Sequence, residues 1–244
     1  MAKTAETVNL ALVGRGKRDD LETVAKIDPA KTALVIVDMQ YYSGCRTMGL
    51  GKKFADEGNS ELVAWRFDRI EQLVVPNLRR LIDLFRRHGL AVIYVTLGSR
   101  SADLSDAARH MKKLFATYNG RPGTPESRIL TEIAPQPGDF IFNKTTVGAF
   151  ASTSLDMHLR HHGLRHLMFA GISTSACVGH TACFAADLEY DCTMIEDACA
   201  DLTKQDHEWF LAHFKKFFGR VASSEAIIAD VTRALSVPVS AVKV

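Results

Sequence analysis

Residues 32–38 read TALVIVD: six residues without a charge, then an aspartate. Apolar character that is continuous rather than alternating, over so short a run, suits a strand covered on both faces inside a parallel sheet. An aspartate where the run stops lies at the carboxyl end of that strand, the edge at which open α/β sheets bind their ligands.

Moving outward from this strand, the pattern repeats. Leu90–Thr96 (LAVIYVT), Phe140–Asn143, His166–Ala170, Cys192–Ile195 and Gly219–Ala222 read as five further short strands. Between them run helical stretches. Arg69–His88 places Ile70, Leu73, Val74, Leu78, Leu81, Ile82 and Phe85 at helical spacing and is closed by Gly89. Pro76 is expected to bend or restart it. Ser152–His162, with Ser152 as N-cap, Ser175–Leu188, His207–Phe217 and Ser224–Leu235 complete the set. Residues 39–66 and 98–137 read as loop-rich, the second with a helix near Leu104–Phe115. Strands alternating with helices predict an α/β fold: a doubly wound six-stranded parallel sheet with helices on both faces and right-handed crossovers. One domain over residues 32–236 is expected, with an arm at 1–31 and a tail at 237–244. Gly14-Arg15-Gly16 lacks the third glycine and the preceding strand of a phosphate loop.

Composition narrows the function classes. A net charge of +2 argues against a dedicated nucleic-acid binder. Basic runs such as Arg79–Arg87 read as solvated helix faces. Five cysteines, no CxxC pair and no apolar leader point to free thiols in a reducing cytoplasm. No stretch of about 18 apolar residues predicts a membrane span.

Three strand ends carry chemistry. Asp38 follows TALVIV; half-desolvated, its carboxyl has a raised pKa suited to a general base, although an Asx turn fits the same position. Lys144 follows FIFN, where a lysine is costly unless paired or snorkelling. Cys177, in GISTSACVGH, stands where a helix begins, and the positive end of a helix dipole favours the reactive thiolate. The plain alternative for Cys177 is a small buried apolar residue, which suits Cys183, Cys192 and Cys199 better. An acid/base, a cation and a thiol on one sheet edge are the parts of acyl transfer through a covalent intermediate.

These residues, with their surroundings, resemble the isochorismatase-like superfamily, in particular its cysteine hydrolase (amidohydrolase) branch. The matching pieces are ALVIVDMQ, NKTTVGAF, GISTSACVGHTACFAADLEYDCTMIEDACA and RVASSEAI, in order over about residues 30–235. The resemblance implies an Asp38–Lys144–Cys177 triad. It also implies a non-proline cis peptide at Ile172–Ser173, with the amides of Ser173 and Cys177 forming an oxyanion hole. It further implies a small amide or ureide substrate, no cofactor, and a homo-oligomer, dimer or tetramer.

Within the superfamily, Cys177 separates the chain from the vinyl-ether-cleaving isochorismatases. Nicotinamidases carry an Asp-x-His metal motif, and here the first histidine is His88, so no metal site is expected. His180, three residues past Cys177, could suggest a Cys–His dyad but fits packing as well. The remaining relatives act on N-carbamoylsarcosine, ureidoacrylate, biuret or triuret, and a small neutral ureide such as triuret or biuret is favoured. Candidate substrate-binding residues are Tyr41, Tyr42, Phe150 and Thr174. Arg46, Lys52, Arg100 and Arg121 are loop cations that could roof the site and read a carboxylate. The reading from another class is a catalytically silent α/β binding protein with a reactive thiol.

Overall fold

The computed structural model describes residues 27–236. Most of the expected arm, the tail and Gly14-Arg15-Gly16 lie outside the described residues. Six parallel strands form one sheet: β1 (Thr32–Val37), β2 (Ala91–Leu97), β3 (Phe140–Lys144), β4 (His166–Ile172), β5 (Asp191–Ala200) and β6 (Arg220–Ala222), in the order β3-β2-β1-β4-β5-β6. β1 begins and ends where the apolar run does, and all six of its residues are buried. Its alternate residues face opposite layers. Ala33, Val35 and Val37 belong to a core with Leu155, Leu159, Phe169, Val178 and Phe214. Leu34 and Ile36 belong to a second core with Phe67, Leu78, Leu81, Phe85, Ile227 and Val231.

The helices are α1 (Tyr41–Gly44), α2 (Gly49–Asp56), α3 (Ala64–Arg69), α4 (Val75–Arg87), α5 (Lys112–Tyr118), α6 (Leu155–His161), α7 (Gly179–Asp187), α8 (Lys204–Phe217) and α9 (Ser224–Ser236). α4 and α9 cover one face of the sheet; α6, α7 and α8 cover the other. None of them is long and apolar enough to cross a membrane.

Several elements differ from expectation. Residues 39–66 hold two short helices and the start of a third, where a loop was expected. The helix expected over 69–88 is two helices, α3 and α4, joined by a π-helical turn at Ile70–Val74, with Pro76 in the first turn of α4. Proline has no N–H to donate, so the helix can restart there without losing a bond. Ser152 does not cap α6: its hydroxyl receives the Thr145 N–H at 3.1 Å, and Ser154 is the cap residue. α5 begins at Lys112, later than expected. β5 runs on to Ala200 past a register irregularity opposite Phe169/Gly171.

Candidate active site

β1 lies between β2 and β4. After β1 the chain builds outward to β2 and β3; after β4 it builds the other way. The loops leaving β1 and β4 therefore diverge and open a crevice at this topological switch point. Asp38 and Ser173, the residues that follow these two strands, face each other across it. Gly171 lets the strands meet: at φ 116° it tolerates no ordinary side chain, and a Cβ there would sit 2.1 Å from the Val37 carbonyl oxygen. Asp38 is left-handed (φ 54°), an uncommon conformation for a non-glycine residue. Its N–H donates to the Val95 carbonyl at 2.8 Å, and its carbonyl accepts from Ser43 Oγ at 3.0 Å.

Lys144 ends β3, the edge strand, yet its side chain is fully buried. Nζ reaches past β2 to Asp38 Oδ2 at 2.9 Å and donates also to the Thr146 carbonyl at 3.2 Å. Cys177 is carried by a π-helical turn, Thr174–Val178, that precedes α7. The Asp201 carboxylate at the end of β5 pins this turn by accepting the Ser175 N–H at 2.6 Å. The Ile172–Ser173 peptide bond is cis.

Burial controls the charge states. It raises the Asp38 carboxyl above its ordinary value, with Lys144 the chief opposing influence. Burial would lower Lys144, but the Asp38 charge, then Cys177, outweigh it and hold the ammonium protonated. For Cys177 the direction is opposite to the expectation from a helix N-terminus. Desolvation first, then the Asp38 charge, push the thiol up to about 12, against the pull of Lys144. Cys177 is buried in its π-helical turn rather than exposed at a helix end, so it rests as a neutral thiol. Among the described residues no donor meets the buried Asp38 Oδ1 within ordinary hydrogen-bond limits, although the Cys177 thiol is near enough to act on the Asp38 carboxyl. A vacant carboxylate oxygen beside a thiol is placed to accept the thiol proton.

Asp38 and Cys177 line a cavity of ≈ 270 Å³, together with Tyr42, Ser43, Arg66 and Ser173 and an apolar wall that includes Met111, Leu114 and Tyr118. That is close to the lower end of ligand pockets, roughly 300 Å³, and suits a small molecule. Of the four candidate substrate-binding residues, only Tyr42 is on this wall. Tyr41 turns its hydroxyl to Thr131 Oγ1 at 2.8 Å, and Phe150 stacks on Phe184 and Tyr190. Thr174 is buried beneath the turn, 2.8 Å from His207 Nδ1. None of the four loop cations lines it either: Arg46 pairs with Asp68 and Glu71, Lys52 with Asp56, Arg100 reaches the Asn143 carbonyl and Arg121 lies beside Asn119. His180 is exposed, with Nδ1 against the Ala176 carbonyl, so it forms no dyad with Cys177.

Arg66 was missed. The signal was legible: Val63, Phe67, Ile70 and Val74 form an apolar stripe, and Arg66 falls in phase with it, where only a buried side chain fits. Among the described residues no group of three or more His, Cys, Asp or Glu is arranged to hold a metal ion.

With this geometry in place, comparison with known proteins is informative. A family model described as the isochorismatase domain matches residues 32–226. The chain belongs to the isochorismatase family. Within that family it stands in the cysteine hydrolase branch. It is 30% identical over 224 residues to a protein named ureidoacrylate amidohydrolase RutB from Rhizobium rhizogenes, covering 85% of this chain and 86% of the relative. A cysteine hydrolase from Pseudomonas syringae pv. phaseolicola superposes with TM-score 0.72 at 24% identity, covering 86% and 96% of the two chains. An N-carbamoylsarcosine amidase from Thermoplasma acidophilum superposes with TM-score 0.58 at 25% identity, covering 80% and 97%. The isochorismatase-family fold is thus the six-stranded parallel sheet described above.

Proposed function

We propose that this isochorismatase-family protein is a cysteine amidohydrolase that cleaves a terminal C–N bond of a small ureido or carbamoyl compound through a thioester on Cys177. The chain is a hydrolase of carbon–nitrogen bonds other than peptide bonds. The observation that carries the reading is the buried Lys144–Asp38 pair, 2.9 Å apart, beside a neutral thiol on the wall of a small cavity.

The chemistry follows from the charge states. A thiol with a pKa of about 12 is not ionised at rest, so its proton leaves as sulfur attacks the carbonyl carbon. Asp38 Oδ1 takes that proton, and Lys144 keeps Asp38 ionised until it does. The backbone N–H groups of Ser173 and Cys177 are the donors proposed for the developing oxyanion; losing one such donor costs roughly 10²–10³ in kcat. Asp38 returns the proton to the leaving nitrogen as the C–N bond breaks, releasing ammonia or an amine. Water, deprotonated by Asp38, then hydrolyses the thioester and restores the thiol.

The relatives' names favour ureidoacrylate and N-carbamoyl acids; triuret and biuret are the neutral alternatives. The test is ammonia release from a panel of these compounds, with EDTA present. Turnover of at least one of them, insensitive to EDTA and lost in Cys177→Ala, is expected. Unchanged turnover in Cys177→Ala would overturn the reading, and no turnover by folded wild type of any of them would favour the silent binding protein.

A further inference from the structure

Arg66 is 3% exposed, yet it lines the cavity. Its Nε and Nη2 donate to the Ser43 carbonyl at 3.2 and 3.0 Å, and Nη1 donates to Ser173 Oγ at 2.9 Å. Both acceptors are neutral. A guanidinium carries five N–H donors; these bonds use three, leaving two without a protein partner among the described residues. No carboxylate lies within ion-pair distance of Arg66 there. Asp201, whose charge acts on it most strongly, spends both oxygens on the N–H groups of Ser175 and Leu202. Arg86 pairs with Asp139 and Arg220 with Asp230, whereas the partly buried Arg69, like Arg66, donates only to neutral groups, the Cys199 and Glu196 carbonyls and His207, but does not line the cavity. A buried charge left without an opposite charge is costly.

The charges around the cavity make the same point. Lys144 and Arg66 contribute two cations, Asp38 one anion and Asp201, outside the cavity lining, a second, while Cys177 rests neutral. Asp38 is already paired with Lys144, and Asp201 makes no ion pair with Arg66, so among the described residues Arg66 has no counter-charge in contact with it.

We propose that Arg66 is a specificity-determining residue that binds a carboxylate on the substrate, so that the preferred substrates are ureido or carbamoyl acids and not neutral ureides. This rests on the amidohydrolase reading of the same cavity. The acid group ion-pairs with the free N–H groups of Arg66. The Ser173 hydroxyl, which accepts from Arg66, keeps its own proton to donate to the ligand. The carbamoyl end is then directed to Cys177. Arg66 also ties the loop after β1 to the loop after β4 through Ser43 and Ser173, so a purely mechanical role must be distinguished from a recognition role.

Binding without turnover separates them. In the Cys177→Ser protein, 3-ureidopropionate and its carboxamide, a neutral compound of the same size, are titrated calorimetrically. The acid is expected to bind about tenfold tighter or more, as a charge-assisted contact requires. In Cys177→Ser/Arg66→Gln the preference should vanish, and Arg66→Lys, which keeps the charge but not the fork, should retain part of it. Equal binding of acid and amide to the protein with Arg66 intact overturns the proposal, and that comparison needs no Arg66 variant to fold. Binding of neither compound at millimolar concentration, or an acid preference that survives Arg66→Gln, overturns it as well. Failure of the amidohydrolase reading looks different: wild type releases no ammonia from either compound while the binding preference for the acid persists.

Discussion

Replacing Lys144 by methionine keeps the length of the aliphatic stem and removes the charge that Asp38 depends on. The pair is buried, with side-chain exposures of 0% and 3%, and its N···O distance is 2.9 Å. Coulomb's law at an effective dielectric of about 20 puts the attraction near 6 kcal/mol. Breaking a buried pair by removing one partner typically costs about 3–5 kcal/mol. Asp38 can escape by binding a proton, and this caps the loss. From an unfolded pKa near 3.9, protonating it costs about 1.4 kcal/mol per pH unit, so roughly 5.6 kcal/mol at pH 8 and roughly 3 at pH 6. The direction is set by burial, which already raises Asp38 in the presence of Lys144 and raises it further without it. An acid whose folded pKa is raised holds more protons folded than unfolded, so stability falls as pH climbs from the unfolded value through the folded one. Lys144→Met should therefore lose about 3–5 kcal/mol at pH 8 and clearly less below pH 6, read from urea midpoints across that range. Asp38→Asn/Lys144→Met, with no charge to strand, should lose less than the single variant at pH 8 and show no such slope. A single-variant cost under about 1 kcal/mol at pH 8, or one equal at pH 5.5 and pH 8, would refute the account of Asp38 as a carboxylate held ionised by Lys144.

Two further outcomes follow from the same charge states. Because Cys177 rests as a thiol pushed up to about 12, its alkylation by iodoacetamide needs Asp38 to take the proton. Asp38→Asn removes the base and also the charge that helps raise the thiol, but desolvation, the larger cause, remains, so modification of Cys177 should still slow about tenfold or more, while the partly exposed Cys45 is unaffected; peptide mapping showing equal or faster Cys177 modification in Asp38→Asn would count against it. His207, lowered to about 4 by burial and then by Arg69, must stay neutral to take the Arg69 N–H on Nε2 and donate Nδ1–H to Thr174 beneath the Cys177 turn. A depressed histidine loses its stabilising contribution as pH falls from 6.5 through 4, so wild type should weaken over that window relative to His207→Gln, and parallel urea midpoints for the two proteins would exclude the effect.

Much of the site was legible because its parts are local. Asp38 is marked by an apolar run that stops on it, and Lys144 by a charge ending a strand. Cys177 is marked by its place where a helix begins after a strand, and the resemblance to the cysteine hydrolases supplied the cis peptide before Ser173. Three candidate wall residues, Tyr41, Phe150 and Thr174, lie off the cavity because adjacency in sequence does not say which way a side chain turns at a helix start or inside a tight turn. Tyr41 and Tyr42 are neighbours, yet one faces Thr131 and the other the cavity. The loop cations Arg46, Lys52, Arg100 and Arg121 lie off the cavity for a similar reason. Exposed loop charges find partners nearby, whereas Arg66 lies on the apolar stripe of a helical segment, a position that residue type alone disguises.

By itself the sequence determined the six strands and the main helices between them, though not the short helices of residues 41–56, because apolar continuity and helical periodicity record which faces must be covered. It also determined the order of the chemistry-bearing residues along the chain. Only the tertiary structure decided the strand order β3-β2-β1-β4-β5-β6, which places Lys144 against Asp38 across 106 residues. Periodicity says that a face is buried and not against what. The protonation of Cys177 was likewise settled by the fold: a helix start suggests a thiolate, but desolvation depends on everything packed around the sulfur, and here desolvation wins.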